Sequence, residues 1–177
     1  MLYWLTEFST GGDFFNLFRY ITFRAGCAFA TALIFGFIFG QPLINLLRRK
    51  QGKGQPIRDD GPQTHFAKAG TPTMGGLLIL SALLVATLLW ARLDNPYVWI
   101  VLGVTMAFGL IGFADDYAKV TKQNTKGVST RVRFLLGLVI AAFAGWAATL
   151  FHPAELTGQL ALPVFKDVLI NLGLLFV

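Results

Sequence analysis

Four long apolar runs, separated by polar stretches, dominate the chain, and a fifth begins near its end. The runs cover about Tyr20–Leu47, Met74–Trp90, Tyr97–Phe113 and Phe134–Leu150, and the last occupies Val168–Val177. A helix of roughly 17–25 apolar residues crosses a bilayer core of about 30 Å, so each of the first four reads as a transmembrane helix. The fifth run would rise only about 15 Å, half that core, so the chain is expected to stop inside a helix. The pattern predicts an all-α polytopic membrane protein, a single membrane domain over 1–177 with four full spans and the start of a fifth. Between the fourth and fifth runs, the alternation in QLALPVF allows a short strand or hairpin within the outer segment 151–167.

Ahead of the first run, Tyr3, Trp4, Phe8, Phe14, Phe15 and Phe18 suit an interfacial segment. Glu7, Asp13 and the lack of a basic leader argue against a signal peptide there. Arg24 lies about one turn into the first run, where its head can snorkel to the near interface. Gly26, Gly36 and Gly40 either mark a helix-packing face or reflect the ordinary abundance of glycine in membrane helices. Pro96 is placed for the first turn of the third span.

Composition agrees with the pattern. Hydrophobic residues make up 55% of the chain and charged ones 14%. Soluble domains carry roughly 25% charged residues. The mean hydropathy is +0.61. A net charge of +6 raises the question of nucleic acid, but the basic residues sit in loops between apolar spans. Eleven of the fifteen Lys and Arg fall in 48–73 and 114–133. That asymmetry predicts both loops in the cytoplasm and the N-terminus outside, and it excludes nucleic acid as the partner in favour of a lipid bilayer and anions at its surface. Cys27, the lone cysteine, lies inside an apolar run, so no disulfide forms within one chain.

Two constellations can carry chemistry. The first is Asp115-Asp116, followed by Tyr117 and Lys119, where the third run meets a basic loop. Carboxylates at the end of a span are costly unless they reach an aqueous rim, pair with cations or hold a metal. Neighbouring helical residues point about 100° apart, so one carboxylate can face Mg²⁺ or a reacting proton while the other binds a lysine. A solvated helix end balanced by Lys119 and Lys122 is the plainer alternative. The second is HFAKAGTPTMGG, residues 65–76. Thr73 is placed to cap a helix beginning near Met74, Lys68 adds positive charge, and helix N-termini suit phosphate oxygens. An ordinary turn before a helix would look the same. Asp59-Asp60-Gly61-Pro62 reads as a turn, and His65 and His152 as loop residues.

In order and spacing, RDDGP (58–62), HFAKAGTPTMGG (65–76), NPYVW (95–99), IGFADDY (111–117) and TKG (125–127) resemble the polyprenyl-phosphate phosphotransferase superfamily. More narrowly, they resemble the phospho-N-acetylmuramoyl-pentapeptide transferases of bacterial cell-wall synthesis. The resemblance implies a Mg²⁺-dependent transfer in the bacterial inner membrane, in which UDP-N-acetylmuramoyl-pentapeptide and undecaprenyl phosphate give a lipid-linked sugar pyrophosphate and UMP. It implies Asp115 and Asp116 as the active-site acid pair, which are also the candidate metal ligands, with the main ligand expected outside this chain. Lys68 and Thr73 match the polar active-site loop, and Lys119 and Lys126 are further candidates for phosphate contact. The family is often dimeric, so a homodimer belongs to the same expectation. Members have about ten spans and later acidic and histidine-rich motifs that this chain lacks, so it resembles their N-terminal half. A related transferase using a UDP-N-acetylhexosamine, and a non-catalytic membrane partner or regulatory protein, are the competing readings.

Overall fold

A computed structural model describes residues 1–52, 72–123, 127–151, 159–162 and 165–173, without the side chains of 159–169. The fold is built on four helices: α1 (Ile21–Gln51), α2 (Gly76–Trp90), α3 (Pro96–Lys122) and α4 (Thr130–Leu150). Two short 3-10 turns, Leu2–Phe8 and Phe14–Arg19, precede α1. Among the described residues, three helices meet the length and apolarity needed to cross a membrane, α1, α3 and α4. The second expected span, Met74–Trp90, is shorter as a helix. α2 has 15 residues and rises only about 22 Å, below a full hydrocarbon core.

Local sequence explains the helix ends. Asn95 caps α3 by accepting a hydrogen bond from the Tyr97 N–H at 3.0 Å, and Pro96 occupies the first turn as expected. Ser129 caps α4 by accepting from the Val132 N–H at 3.4 Å. α1 closes at Gly52, whose φ of 58° is a conformation that glycine adopts at little cost. Pro42 sits inside α1 without ending it. The polar loops are shorter than the apolar pattern suggests: α3 runs nine residues past Phe113, and α4 begins four residues before Phe134.

The helices alternate in direction. Arg24 at the start of α1 meets Trp90 at the end of α2, while Gln51 at the end of α1 meets Thr73 just before α2. Thr73 also reaches Asp116 on α3, and Arg133 on α4 reaches Asp115. The N-terminal turns dock through aromatic rings. Phe18 stacks on Trp90 with centroids 6.0 Å apart, and the Phe14 and Phe23 rings approach Phe18 edge-on. Trp90 Nε1 donates to the Thr31 hydroxyl at 2.9 Å.

Gly26 and Gly36 face open space, and a Cβ on Gly40 would make only ordinary contact with Leu78. The close helix approach is instead at Gly109, where a Cβ would collide with the Leu80 side chain of α2. Few apolar side chains are buried among the described residues, chiefly Phe18, Met74, Ala82, Ala86 and Leu102. Large apolar residues such as Phe29, Phe37, Phe134 and Val139 lie exposed on α1 and α4. In water such surface would be a liability; against lipid or further helices it is the expected face.

After α4, β1 (Gln159–Leu162) pairs antiparallel with β2 (Phe165–Asn171), with Gln159 opposite Asn171 and an irregularity at Ala161/Leu162. The expected start of a fifth helix near Val168 is therefore strand over 168–171. Alternating Val168 and Ile170 suit a pleated pairing, and β1 supplies the partner. Residues 174–177 lie outside the described part of the chain.

Candidate functional site

Asp115 and Asp116 are not at the end of α3 but two turns inside its end, and the helix puts them in different surroundings. Asp115 is 6% exposed. Its Oδ2 accepts from Lys119 Nζ at 2.7 Å, one turn further along, and from Arg133 Nη1 of α4 at 3.4 Å. Its Oδ1 accepts from the Val128 backbone N–H at 2.8 Å. The carboxylate thus ties α3, the turn before α4 and α4 itself into one corner. Charge-assisted bonds of this kind are the strong ones, and together they offset the cost of burying the carboxylate.

Gly127 makes that corner possible. Its φ is +56°, and a Cβ there would strike Asp115 Oδ1 and approach Lys119 Cε at 2.8 Å. Two independent constraints therefore demand glycine at this position.

Asp116 is the accessible partner, with its side chain 32% exposed. Its Oδ2 accepts from the Thr73 hydroxyl at 3.0 Å, and its Oδ1 lies 3.8 Å from Lys119 Nζ. Thr73 does not cap α2 as expected. Gly75 stands at the cap position without a side-chain bond, and the Thr73 hydroxyl is spent on Asp116 instead. Met74 between them has φ of 71°, a left-handed conformation uncommon for a residue with a Cβ, and its side chain is buried. That twist turns the chain out of Pro72-Thr73 and into α2.

Thr73 is held from the other side by Gln51, the last residue of α1. Gln51 Nε2 donates to the Thr73 carbonyl oxygen at 3.0 Å, and its Oε1 accepts from the Thr73 N–H at 2.9 Å. A buried primary amide that satisfies both backbone groups of one residue acts as a two-point clamp. Sequence reasoning had no signal for it: Gln51 is one polar residue among several at the end of an apolar run. Arg133 was legible only as a loop cation, although its distance from Asp115 along α3 and α4 becomes short once the helices pair.

A cavity of about 410 Å³ runs from the acid pair between α2 and α3, lined by Met74, Leu77, Leu80, Gly109, Gly112 and Phe113 together with both aspartates. Its walls are apolar and its carboxylate end is polar. Of the residues expected to contact substrate, the structure brings together Asp115, Asp116, Thr73 and Lys119. Lys68 and Lys126 lie outside the described residues, as do His65, His152, 58–62 and 125–126.

The two carboxylates differ in what they can still bind. Asp115 would have to release Lys119, Arg133 or the Val128 N–H to take a metal. Among the described residues, one Asp116 oxygen has only the Lys119 ammonium at 3.8 Å and the other only accepts from a hydroxyl. Mg²⁺ is commonly held by one or two carboxylates completed by waters and substrate phosphates, so Asp116 fits a single-carboxylate role. The described residues contain no group of three His, Cys, Asp or Glu that could hold a metal.

Comparison with known proteins bears on the same stretch. Residues 68–80, from the polar loop into α2, match the sequence signature described as phospho-N-acetylmuramoyl-pentapeptide-transferase signature 1. The chain is 75% identical over 177 residues to a phospho-N-acetylmuramoyl-pentapeptide-transferase of Ruegeria sp. (strain TM1040) and 75% identical to one of Ruegeria pomeroyi. It is 71% identical over 178 residues to that of Dinoroseobacter shibae. Each similarity covers 100% of this chain and 49% of the relative, so the chain spans about half the length of the curated relatives it matches.

Proposed function

We propose that this chain, which belongs to the phospho-N-acetylmuramoyl-pentapeptide transferase family, contributes the acid pair to a transfer of phospho-N-acetylmuramoyl-pentapeptide from its UDP carrier to undecaprenyl phosphate, releasing UMP. The observation that supports the substrate class is identity of 71–75% along the whole chain to proteins named for that transfer. The geometry supports the division of labour. Asp116, accessible and aimed by the Thr73 hydroxyl, is the carboxylate that meets the reacting phosphates, while Asp115 positions Lys119 and the α3–α4 corner.

In this reading an oxygen of the lipid phosphate forms a bond to the sugar-bearing phosphorus of the nucleotide sugar, the pyrophosphate bond breaks, and UMP leaves with the electron pair. Such a transfer depends on positioning and on neutralising phosphate charge. Mg²⁺, held in part by Asp116, would supply charge neutralisation on the pyrophosphate oxygens. Asp116 can orient the attacking phosphate or accept its proton. The apolar cavity behind it accommodates the first carbons of a prenyl chain without burying a polar wall. The site end of the helices is cytoplasmic in this reading, and the membrane is the bacterial inner membrane. The apolar faces of α1 and α4 leave surface for further helices and for a second copy in a homodimer.

The test is UMP release by the full-length protein with both substrates and Mg²⁺. Asp116→Asn is expected to cut turnover by two or more orders of magnitude while leaving the melting temperature near that of the unaltered protein. Turnover unchanged in Asp116→Asn would remove this residue from the reaction.

A further inference from the structure

At the end of the helices away from the carboxylate pair, a cavity of about 340 Å³ opens between α1, the end of α2 and the turn into α3. Arg24, Ala25, Trp90, Arg92 and Asn95 help to line it. Arg24 is 8% exposed. Its Nη1 donates to the Trp90 carbonyl oxygen at 3.3 Å, and its guanidinium lies 4.8 Å from the centre of the Tyr3 ring. Its Nε is buried and has no hydrogen-bond partner. Among the described residues no carboxylate lies within ion-pair distance of Arg24. Asp94 is close enough to feel its field, but that carboxylate is bound at 2.7 Å by Arg92. The Arg92 guanidinium also lies 4.8 Å from the Tyr3 ring centre.

Two guanidiniums therefore share one aromatic ring beside a cavity, and the deeper of them has no carboxylate within ion-pair distance among the described residues. Burying an unpaired charge is expensive, and a single ring returns only a small part of that cost. A buried guanidinium nitrogen without a partner, next to a second guanidinium, is the chemistry that an anion satisfies. Its depth identifies the source. Arg24 sits one turn inside the membrane helix, beside Tyr3 and Trp90, residue types that mark the headgroup level of a bilayer. Guanidinium geometry matches phosphate oxygens, and the capped start of the 27-residue α3 adds its positive end at Asn95.

We propose that this cavity seats the phosphodiester of an anionic phospholipid, with Arg24 as the buried contact and Arg92 at the rim. The assignment is independent of the transfer reaction, which belongs to the other end of the helices, and needs only that these helices span a bilayer.

The full-length protein, purified in neutral detergent and stripped of lipid, is titrated separately with phosphatidylglycerol, phosphatidylcholine and inorganic phosphate. Melting temperature and native mass spectrometry report binding. Phosphatidylglycerol is expected to raise the melting temperature saturably and to bind more tightly than phosphatidylcholine. Arg24→Gln should weaken phosphatidylglycerol binding at least ten-fold, and Arg92→Gln a few-fold. Ala25→Leu, at an exposed position on the cavity wall, should reproduce the loss without altering a charge, which keeps the test available if Arg24→Gln does not fold. Undiminished binding in Arg24→Gln or in Ala25→Leu would overturn the site. Equal stabilisation by inorganic phosphate would overturn a lipid as the source, and equal binding of phosphatidylcholine would overturn the requirement for a net negative headgroup.

Discussion

At the Asp115 end of the helices, the buried carboxylate has two cations and a backbone N–H within hydrogen-bonding reach; at the Arg24 end, the buried guanidinium has one carbonyl oxygen and an aromatic ring. Both groups are desolvated to a similar degree, so the difference lies in compensation and not in burial. The first end is electrostatically complete within this fold. Its charges hold helices together, and what remains free to act is the neighbouring Asp116. At the second end no carboxylate among the described residues answers the Arg24 charge, which is the role proposed for a lipid phosphate. A charge used for architecture and a charge held for a ligand can thus be told apart by counting partners.

Breaking the complete end should cost the most. Asp115→Ala leaves Lys119 and Arg133 facing each other without the carboxylate and unties the turn at Val128. It should lower unfolding stability by on the order of 3 kcal/mol. Arg24→Gln in lipid-free protein removes a charge that has no ion-pair partner among the described residues, so it should cost distinctly less. Thermal unfolding of both variants in the same detergent decides this. Equal losses would mean that Arg24 is compensated as fully as Asp115, and the contrast would collapse.

Gly127→Ala should have an intermediate effect, about 2 kcal/mol, because a left-handed residue with a side chain is strained and its Cβ would push on Asp115. Turnover should fall with it, since the corner orders Lys119 beside Asp116. A chemical denaturation curve and an assay of UMP release read both effects. Full stability in Gly127→Ala would show that the corner tolerates rearrangement.

The smallest loss is expected for Gln51→Leu. It leaves the Thr73 N–H and carbonyl without their protein partners and should cost about 1 kcal/mol at a site that water can still reach in part. Its effect on turnover should be larger than its effect on melting, because Thr73 aims the Asp116 carboxylate. If Gln51→Leu changed melting and left UMP release untouched, the clamp would be structural only.

Much of this was legible along the chain. The apolar runs and the asymmetric loops announced a helical membrane protein because burial in lipid requires long uninterrupted apolar helices with satisfied backbones. Pro96 and Asp115-Asp116 stood out because a first-turn proline and intramembrane carboxylates are local signals, whereas the Asn95 cap came only with the structure. The fifth run misled, since a short apolar stretch with β-branched residues suits a strand as well as a helix, and only the partner β1 decides between them. The extension of α3 to Lys122 was hidden because its last turns are polar, and polar residues on a helix that leaves the membrane look like loop.

What the sequence determined by itself was therefore the kind of protein, the rough position of its helices and the residues able to carry charge. It could not rank Asp115 against Asp116, because adjacent acids are equivalent until a fold supplies their neighbours. The tertiary structure decided that Asp115 is bound by Lys119, Arg133 and Val128, that Gln51 holds Thr73 against Asp116, and that Arg24 is buried with no carboxylate beside it among the described residues. Apart from the Asp115–Lys119 pair, one turn apart on α3, these contacts join residues 13 to 66 positions apart in the chain. Electrostatic and hydrogen-bonding partners of this kind are set by how helices pack, and local pattern does not contain that information.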